Sequence, residues 1–137
     1  MTAKTKNPRV FVSYSWTPEE HKKTTIEIAE RLLAEGIDVV IDVWNLHAGN
    51  DMYAFMEQMV SDDTIDYVLL MCSMAYASKV DKREGGAGIE GAIVSPEVYN
   101  STKQTRFIPV ILEVDDSGKA YKPIYLHPTL VVSQRLV

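Results

Sequence analysis

Four short runs of apolar and β-branched residues, separated by stretches with helical spacing, limit what this chain can fold into more than any other feature. They are Arg9-Val-Phe-Val-Ser-Tyr-Ser15, Ile37-Asp-Val-Val-Ile-Asp42, Tyr67-Val-Leu-Leu-Met-Cys-Ser73 and Arg106-Phe-Ile-Pro-Val-Ile-Leu-Glu113. Runs that stay apolar at successive positions suit strands covered on both faces, as in a parallel sheet. Residues 125–132 read as a fifth, edge strand. Between the first two runs, Thr17 as N-cap, Pro18 at the first helical position and Glu20 at the capping-box spacing predict a helix to about Glu35. That helix buries Ile28, Ala29, Leu32 and Leu33, and Gly36 ends it. Met52, Phe55, Met56, Met59 and Val60 recur at i, i+3, i+4, i+7 and i+8, which predicts a second helix over residues 51–60 whose methionines are core. A long loop over residues 74–88 and a helical segment over residues 89–102 lead to the fourth strand. Alternating strands and helices imply a three-layer α/β fold, flavodoxin-like, with a parallel five-stranded sheet flanked by helices.

The 137 residues are one domain's worth of chain. Residues 1–8 read as a flexible tail and residues 9–137 as the domain, which is compatible with excision from a longer protein. A net charge of −5 and the lack of a Lys/Arg stripe argue against nucleic acid as a partner. No apolar run approaches the roughly 18 residues of a membrane span, and the amino end has no signal-peptide core, so a cytoplasmic location is expected. The single cysteine, Cys72, sits in an apolar strand and reads as a small core residue, which leaves no intramolecular disulfide and no cysteine zinc site. His21, His47 and His127 lack ligand spacing, so no metal is expected.

Three polar clusters fall at the carboxyl ends of strands, the edge where an open parallel sheet forms its ligand crevice. They are Ser13-Tyr14-Ser15-Trp16, the loop over residues 42–50, and Ser73 to Tyr76. Two indoles, several hydroxyls and a carboxylate suit a ribose-bearing ligand with a flat ring. Alternatively, Trp16 and Trp44 merely close the end of the core. Gly85-Gly-Ala-Gly88 has neither dinucleotide-fingerprint spacing nor a Walker lysine, and no Gly-x-Ser-x-Gly elbow occurs. Flavin binding is disfavoured because the loop after the first strand lacks a Ser/Thr-Gly-rich phosphate cradle.

Glu97 is the most informative candidate. Pro96 either kinks a continuous helix or starts a fresh one with Ser95 as N-cap. In the second case Glu97 stands in the first turn, where the macrodipole favours its ionised form. An ionised carboxylate is what accepting ribose hydroxyls and steadying an oxocarbenium ion requires. Acidic residues are also common in first turns for no catalytic reason. In a continuous helix, Glu90 shares the face of Glu97.

Arg9-Val-Phe-Val-Ser-Tyr-Ser15 resembles the first box of Toll/interleukin-1 receptor (TIR) domains, and Asp42-Val-Trp-Asn-Leu-His-Ala-Gly49 resembles their BB loop. Phe107-Ile-Pro-Val-Ile111 is similar to the strand after their third helix, and Gly-x-Gly-x-Glu-Gly is closest to the bacterial SEFIR-type branch. The resemblance covers about residues 8–113 and implies a sheet order of 2-1-3-4-5. It also implies one of two functions. Many prokaryotic TIR domains cleave NAD+ as a substrate, releasing nicotinamide, often as effectors or signal generators in anti-phage defence. Their catalytic glutamate lies about a dozen residues before the Ile-Pro strand, a position that Glu97 matches. Tyr14, Ser15, Trp16, Asp42, Trp44, Leu46 and Ser73 are then the expected NAD-binding residues, with Glu90 and His47 as secondary candidates. Ile93 stands where the family often has the tryptophan of Trp-x-x-x-Glu. Such domains act on assembly through the BB loop, here residues 43–50, and the third helix, and a head-to-tail contact that does not close gives filaments. The alternative is a non-enzymatic adaptor that uses the same surfaces for homotypic docking.

Overall fold

The computed structural model of the chain describes residues 7–45, 52–81, 91–94, 99–100, 106–123, 126 and 132–133. Strand β1 (Arg9–Ser15) is followed by α1 (Glu19–Ala34), β2 (Asp38–Val40), α2 (Asp42–Asn45), α3 (Met52–Ser61), β3 (Tyr67–Cys72) and α4 (Met74–Asp81). Then come β4 (Gly91–Ala92), β5 (Phe107–Ile111) and β6 (Val132–Ser133). The strands lie in the order β2-β1-β3-β5-β6 and every pair along that path is parallel. Counting only parallel strands, this is the expected 2-1-3-4-5 order. The short β4 lies off the path and pairs antiparallel with the end of β1, Tyr14 opposite Ala92 and Ser15 opposite Gly91.

The two-residue period of a strand divides the core. Phe11, Val68, Leu70, Cys72, Phe107 and Ile111 project to one face, where they pack with Met56, Met59 and Val60 of α3 and Tyr76 and Val80 of α4. Val10, Val12, Tyr14, Leu69, Met71 and Val110 project to the other, with Ala29 of α1. Three layers result. Met56 and Met59 are core, as expected, and Phe55 meets Phe11 edge-on at 5.8 Å. Burial pushes the Cys72 thiol up to about 12, which fits an inert core cysteine.

Several expectations need correction. Helix α1 starts at Glu19, and Pro18 takes the cap position without a side-chain cap bond. The Thr17 hydroxyl is committed elsewhere, accepting from Lys79 Nζ at 2.8 Å. Leu33 is exposed while Thr25 is buried, because the stripe facing the sheet runs through Thr25, Ala29 and Leu32. The helix does end at Gly36, whose φ of +93° suits glycine. Ile37 N–H bonds Leu32 C=O and Gly36 N–H bonds Leu33 C=O, the Schellman arrangement.

Residues expected as loop form α4, and residues 42–45 form the short α2. The helix expected over residues 89–102 is interrupted, since Gly91–Ala92 is a strand and residues 93–94 are not helical. Tyr99 and Asn100 are helical. Within the expected last strand, Leu126 is instead in a short helical turn, its N–H bonded to Pro123 C=O, and the edge pairing is made by Val132–Ser133.

Arg106, just ahead of β5, donates to the carbonyls of Val60, Asp62 and Ile65 at 2.8, 3.0 and 3.0 Å. It thereby closes the end of α3 and the turn into β3 with a single guanidinium. Arg106→Ala should lower stability by about 1–3 kcal/mol. Urea denaturation should show a reduced midpoint with an unchanged slope.

Candidate functional site at the carboxyl edge of the sheet

The carboxyl ends of β1 and β2 are joined by one buried acid. Asp42 opens α2 and is 5% exposed. Its Oδ1 accepts from the Tyr14 hydroxyl at 2.7 Å and from the Val43 N–H at 2.8 Å. Its Oδ2 accepts from Trp16 Nε1 at 2.7 Å. A buried carboxylate is tolerated only when hydrogen-bonded, and three donors meet that demand. Burial, followed by the hydrogen bond to Asp42 and its charge, raises the Tyr14 phenol far above the usual tyrosine range. The Trp16 ring packs against both core layers and carries Lys22 Nζ 5.8 Å from its centroid.

Helix α2 is closed by local bonds. Trp44 and Asn45 N–H both donate to Ile41 C=O at 3.0 Å, and the Asn45 side chain accepts from Ile41 N–H at 2.9 Å. This turn leaves Val43 and Trp44 exposed, at 43% and 37%.

A second polar group lies on the α4 side of β1. Lys79 Nζ donates to Ser15 Oγ and to Thr17 Oγ1, both at 2.8 Å. Ser15 Oγ donates in turn to Thr17 C=O at 2.9 Å. Ser73 is 1% exposed and caps α4, its Oγ accepting from Tyr76 N–H at 3.1 Å. The fully buried Tyr76 hydroxyl is 2.7 Å from Ser13 Oγ and accepts from Val94 N–H at 3.1 Å. Ile93 is partly buried against the same core layer.

Of the residues singled out in the sequence, Tyr14, Trp16 and Asp42 are in mutual contact. Ser15 adjoins them along β1, Trp44 follows two residues after Asp42 with its surface open, and Ser73 serves as a helix cap. Glu97, Glu90, Leu46 and His47 lie outside the described residues. A single helical face shared by Glu90 and Glu97 is ruled out by the strand at Gly91–Ala92. Sequence reasoning missed Lys79, and placed Tyr76 at this edge without its helix or its partners, because residues 74–88 were expected as loop. The spacing Tyr76, Ala77, Val80 was the available signal for a helix. Among the described residues no group of three or more His, Cys, Asp or Glu side chains is placed to hold a metal, and no helix is long and apolar enough to cross a membrane.

A parallel sheet covered on both faces, with polar groups gathered where β1 and β2 end, defines an α/β domain with its candidate crevice at that edge. The family model for TIR domains matches residues 10–133, and the chain belongs to this family. A crystal structure of a prokaryotic SEFIR domain is 36% identical and superposes with a TM-score of 0.79, covering 91% of this chain and 80% of that one. The TIR domain of a Toll-related receptor from Hydra magnipapillata shares the fold, with a TM-score of 0.56 at 12% identity over 92% of this chain and 83% of that one. A search of curated proteins finds no significant match.

Two predictions test the Asp42 tie. Asp42→Ala strands the Tyr14 and Trp16 donors, so chemical denaturation should show a loss of about 2–5 kcal/mol. The raised Tyr14 pKa gives a pH dependence of known sign. Above pH about 10 the unfolded chain sheds the phenol proton while the folded chain keeps it, so stability falls as pH rises. Thermal melts from pH 9 to 11 should show this decline in the wild type and a weaker one in Tyr14→Phe.

Proposed function

We propose that this TIR domain is an NAD+ glycohydrolase or cyclase that releases nicotinamide, with Glu97 as its catalytic residue. The observation that carries this is how the neighbours of Glu97 in sequence are held. Val94 is fully buried and Tyr99 is 6% exposed, the latter packed on Phe107 with ring centroids 4.9 Å apart. Both belong to the core layer formed by α3 and α4. Just upstream, β4 pairs with Tyr14 and Ser15, next to the Asp42 tie. Three peptide units span no more than about 11 Å, so anchoring Val94 restricts the reach of the Glu97 backbone from the end of β1.

The chemistry asks little of the protein. The bond between nicotinamide and the ribose carbon breaks, and nicotinamide leaves as a neutral ring taking the bonding electrons, so no general acid is needed. The developing oxocarbenium ion is stabilised by a fixed carboxylate, and holding the ribose against it supplies orientation. The ribose carbon is then captured by a water that loses a proton, or by a nucleophilic atom of the same molecule in the cyclase case. Tyr14, Ser15, Trp16, Trp44, Leu46 and Ser73 are proposed to shape the nucleotide site, with Glu90 and His47 secondary. Asp42 is proposed to contribute by holding Tyr14 and Trp16 in place. We further propose a cytoplasmic effector or signal generator of bacterial anti-phage defence. Its activity would depend on self-association through residues 43–50 and the segment of residues 89–102, expected from sequence to match the family's third helix, in a filament when the contact does not close.

Homotypic docking without catalysis is the second reading, and exposed Val43 and Trp44 at the start of that loop favour it. Incubating concentrated protein with NAD+ and resolving the products by chromatography separates the two. Wild type should release nicotinamide, and Glu97→Ala should lose activity by about 100-fold or more with its circular dichroism unchanged. Wild-type protein that leaves NAD+ intact even under crowding would overturn the enzymatic reading and favour docking.

A further inference from the structure

The hydroxyl of Tyr76 is fully buried at the junction of three elements. A phenylalanine would satisfy the packing there, and a buried hydroxyl is tolerated only with partners. Its two described partners are both informative. Ser13 Oγ, at 2.7 Å, belongs to the carboxyl-terminal part of β1. Val94 N–H, at 3.1 Å, belongs to the segment that follows β4. Ser13 projects toward α4 while its neighbour Tyr14 projects toward the Asp42 side, so the last turn of β1 is gripped from both faces of the sheet. Gly91 and Ala92 add an antiparallel pairing to the same strand end. The path of residues 91–94 is therefore set twice, by backbone pairing to β1 and by the Tyr76 hydroxyl.

We propose that Tyr76 is a positioning residue: the bond from Val94 N–H to its hydroxyl, backed by Ser13, fixes the course of the chain toward Glu97 and so aligns that carboxylate for catalysis. This rests on the enzymatic reading of Glu97. Tyr76 does not touch substrate in this scheme. Removing its hydroxyl leaves the ribose-binding groups in place and loosens the carboxylate that must meet the transition state. The loss therefore falls on kcat and spares KM. A residue that only stabilised the fold would leave kcat per folded molecule unchanged.

The test pairs amide hydrogen exchange over residues 91–94 with NAD+ turnover in wild type, Tyr76→Phe and Ser13→Ala. Ser13→Ala deletes a smaller group and carries the test if Tyr76→Phe does not fold. The expected result is faster exchange at Val94 and a fall in kcat of about 10- to 100-fold with KM within twofold. Unchanged exchange at Val94 in a folded variant overturns the clamp, whatever the activity. Faster exchange with unchanged kcat overturns the positioning role. Absence of NAD+ turnover in wild type removes the enzymatic reading and the alignment role with it, while the exchange comparison still decides whether Tyr76 holds this segment.

Discussion

Strand β1 is an interior strand with β2 on one side and β3 on the other, and both of its faces are covered. A strand in that position cannot leave a polar side chain unanswered, because no water reaches it. Its carboxyl-terminal residues, Ser13, Tyr14 and Ser15, are all polar and all buried. Much of the local architecture at this edge is the set of partners those residues demand. Tyr14 draws in Asp42, Ser13 draws in Tyr76, and Ser15 draws in Lys79. The helices α2 and α4 are thereby fixed relative to the strand ends, which an apolar core alone would not do.

The same demand links stability and function. Asp42 is well placed for a ligand contact by position, yet both of its oxygens are occupied by Tyr14, Trp16 and the Val43 amide. Its work is to orient aromatic groups and to begin the turn that presents Val43 and Trp44 to solvent. Charged groups at the opposite, amino-terminal edge serve the fold instead. Arg9 pairs with Asp38 at 3.2 Å and donates to Thr64 at 2.6 Å. The Asp62 carboxyl is held below the ordinary range by the Thr64 side chain and amide, with Arg9 helping.

Membership of the TIR family settles the architecture and leaves the trade of the domain to particular side chains. The catalytic proposal rests on the fastening of residues 91–94, ahead of Glu97 in the sequence, to the strand end bearing the polar cluster.

The strand pattern was legible without coordinates because strands covered on both faces are mostly apolar, as in residues 39–41 and 68–72. The methionine helix was legible because its 3.6-residue spacing has one physical reading. Gly36 was legible because a left-handed residue ends α1 there. The expected helix from residue 89 failed at Gly91–Ala92, where pairing with β1 outweighs local preference. Helix α4 was missed because its polar residues bind to β1 and to the β4 segment rather than showing a clear stripe. By itself, then, the sequence determined the four main parallel strand segments and the chemical types available at one edge, while the strand order came from the family resemblance. Only the tertiary structure decided which of those groups answer one another, since hydrogen-bond partners such as Tyr14 and Asp42, or Ser13 and Tyr76, are far apart in the chain and meet only when the sheet brings their strand ends together.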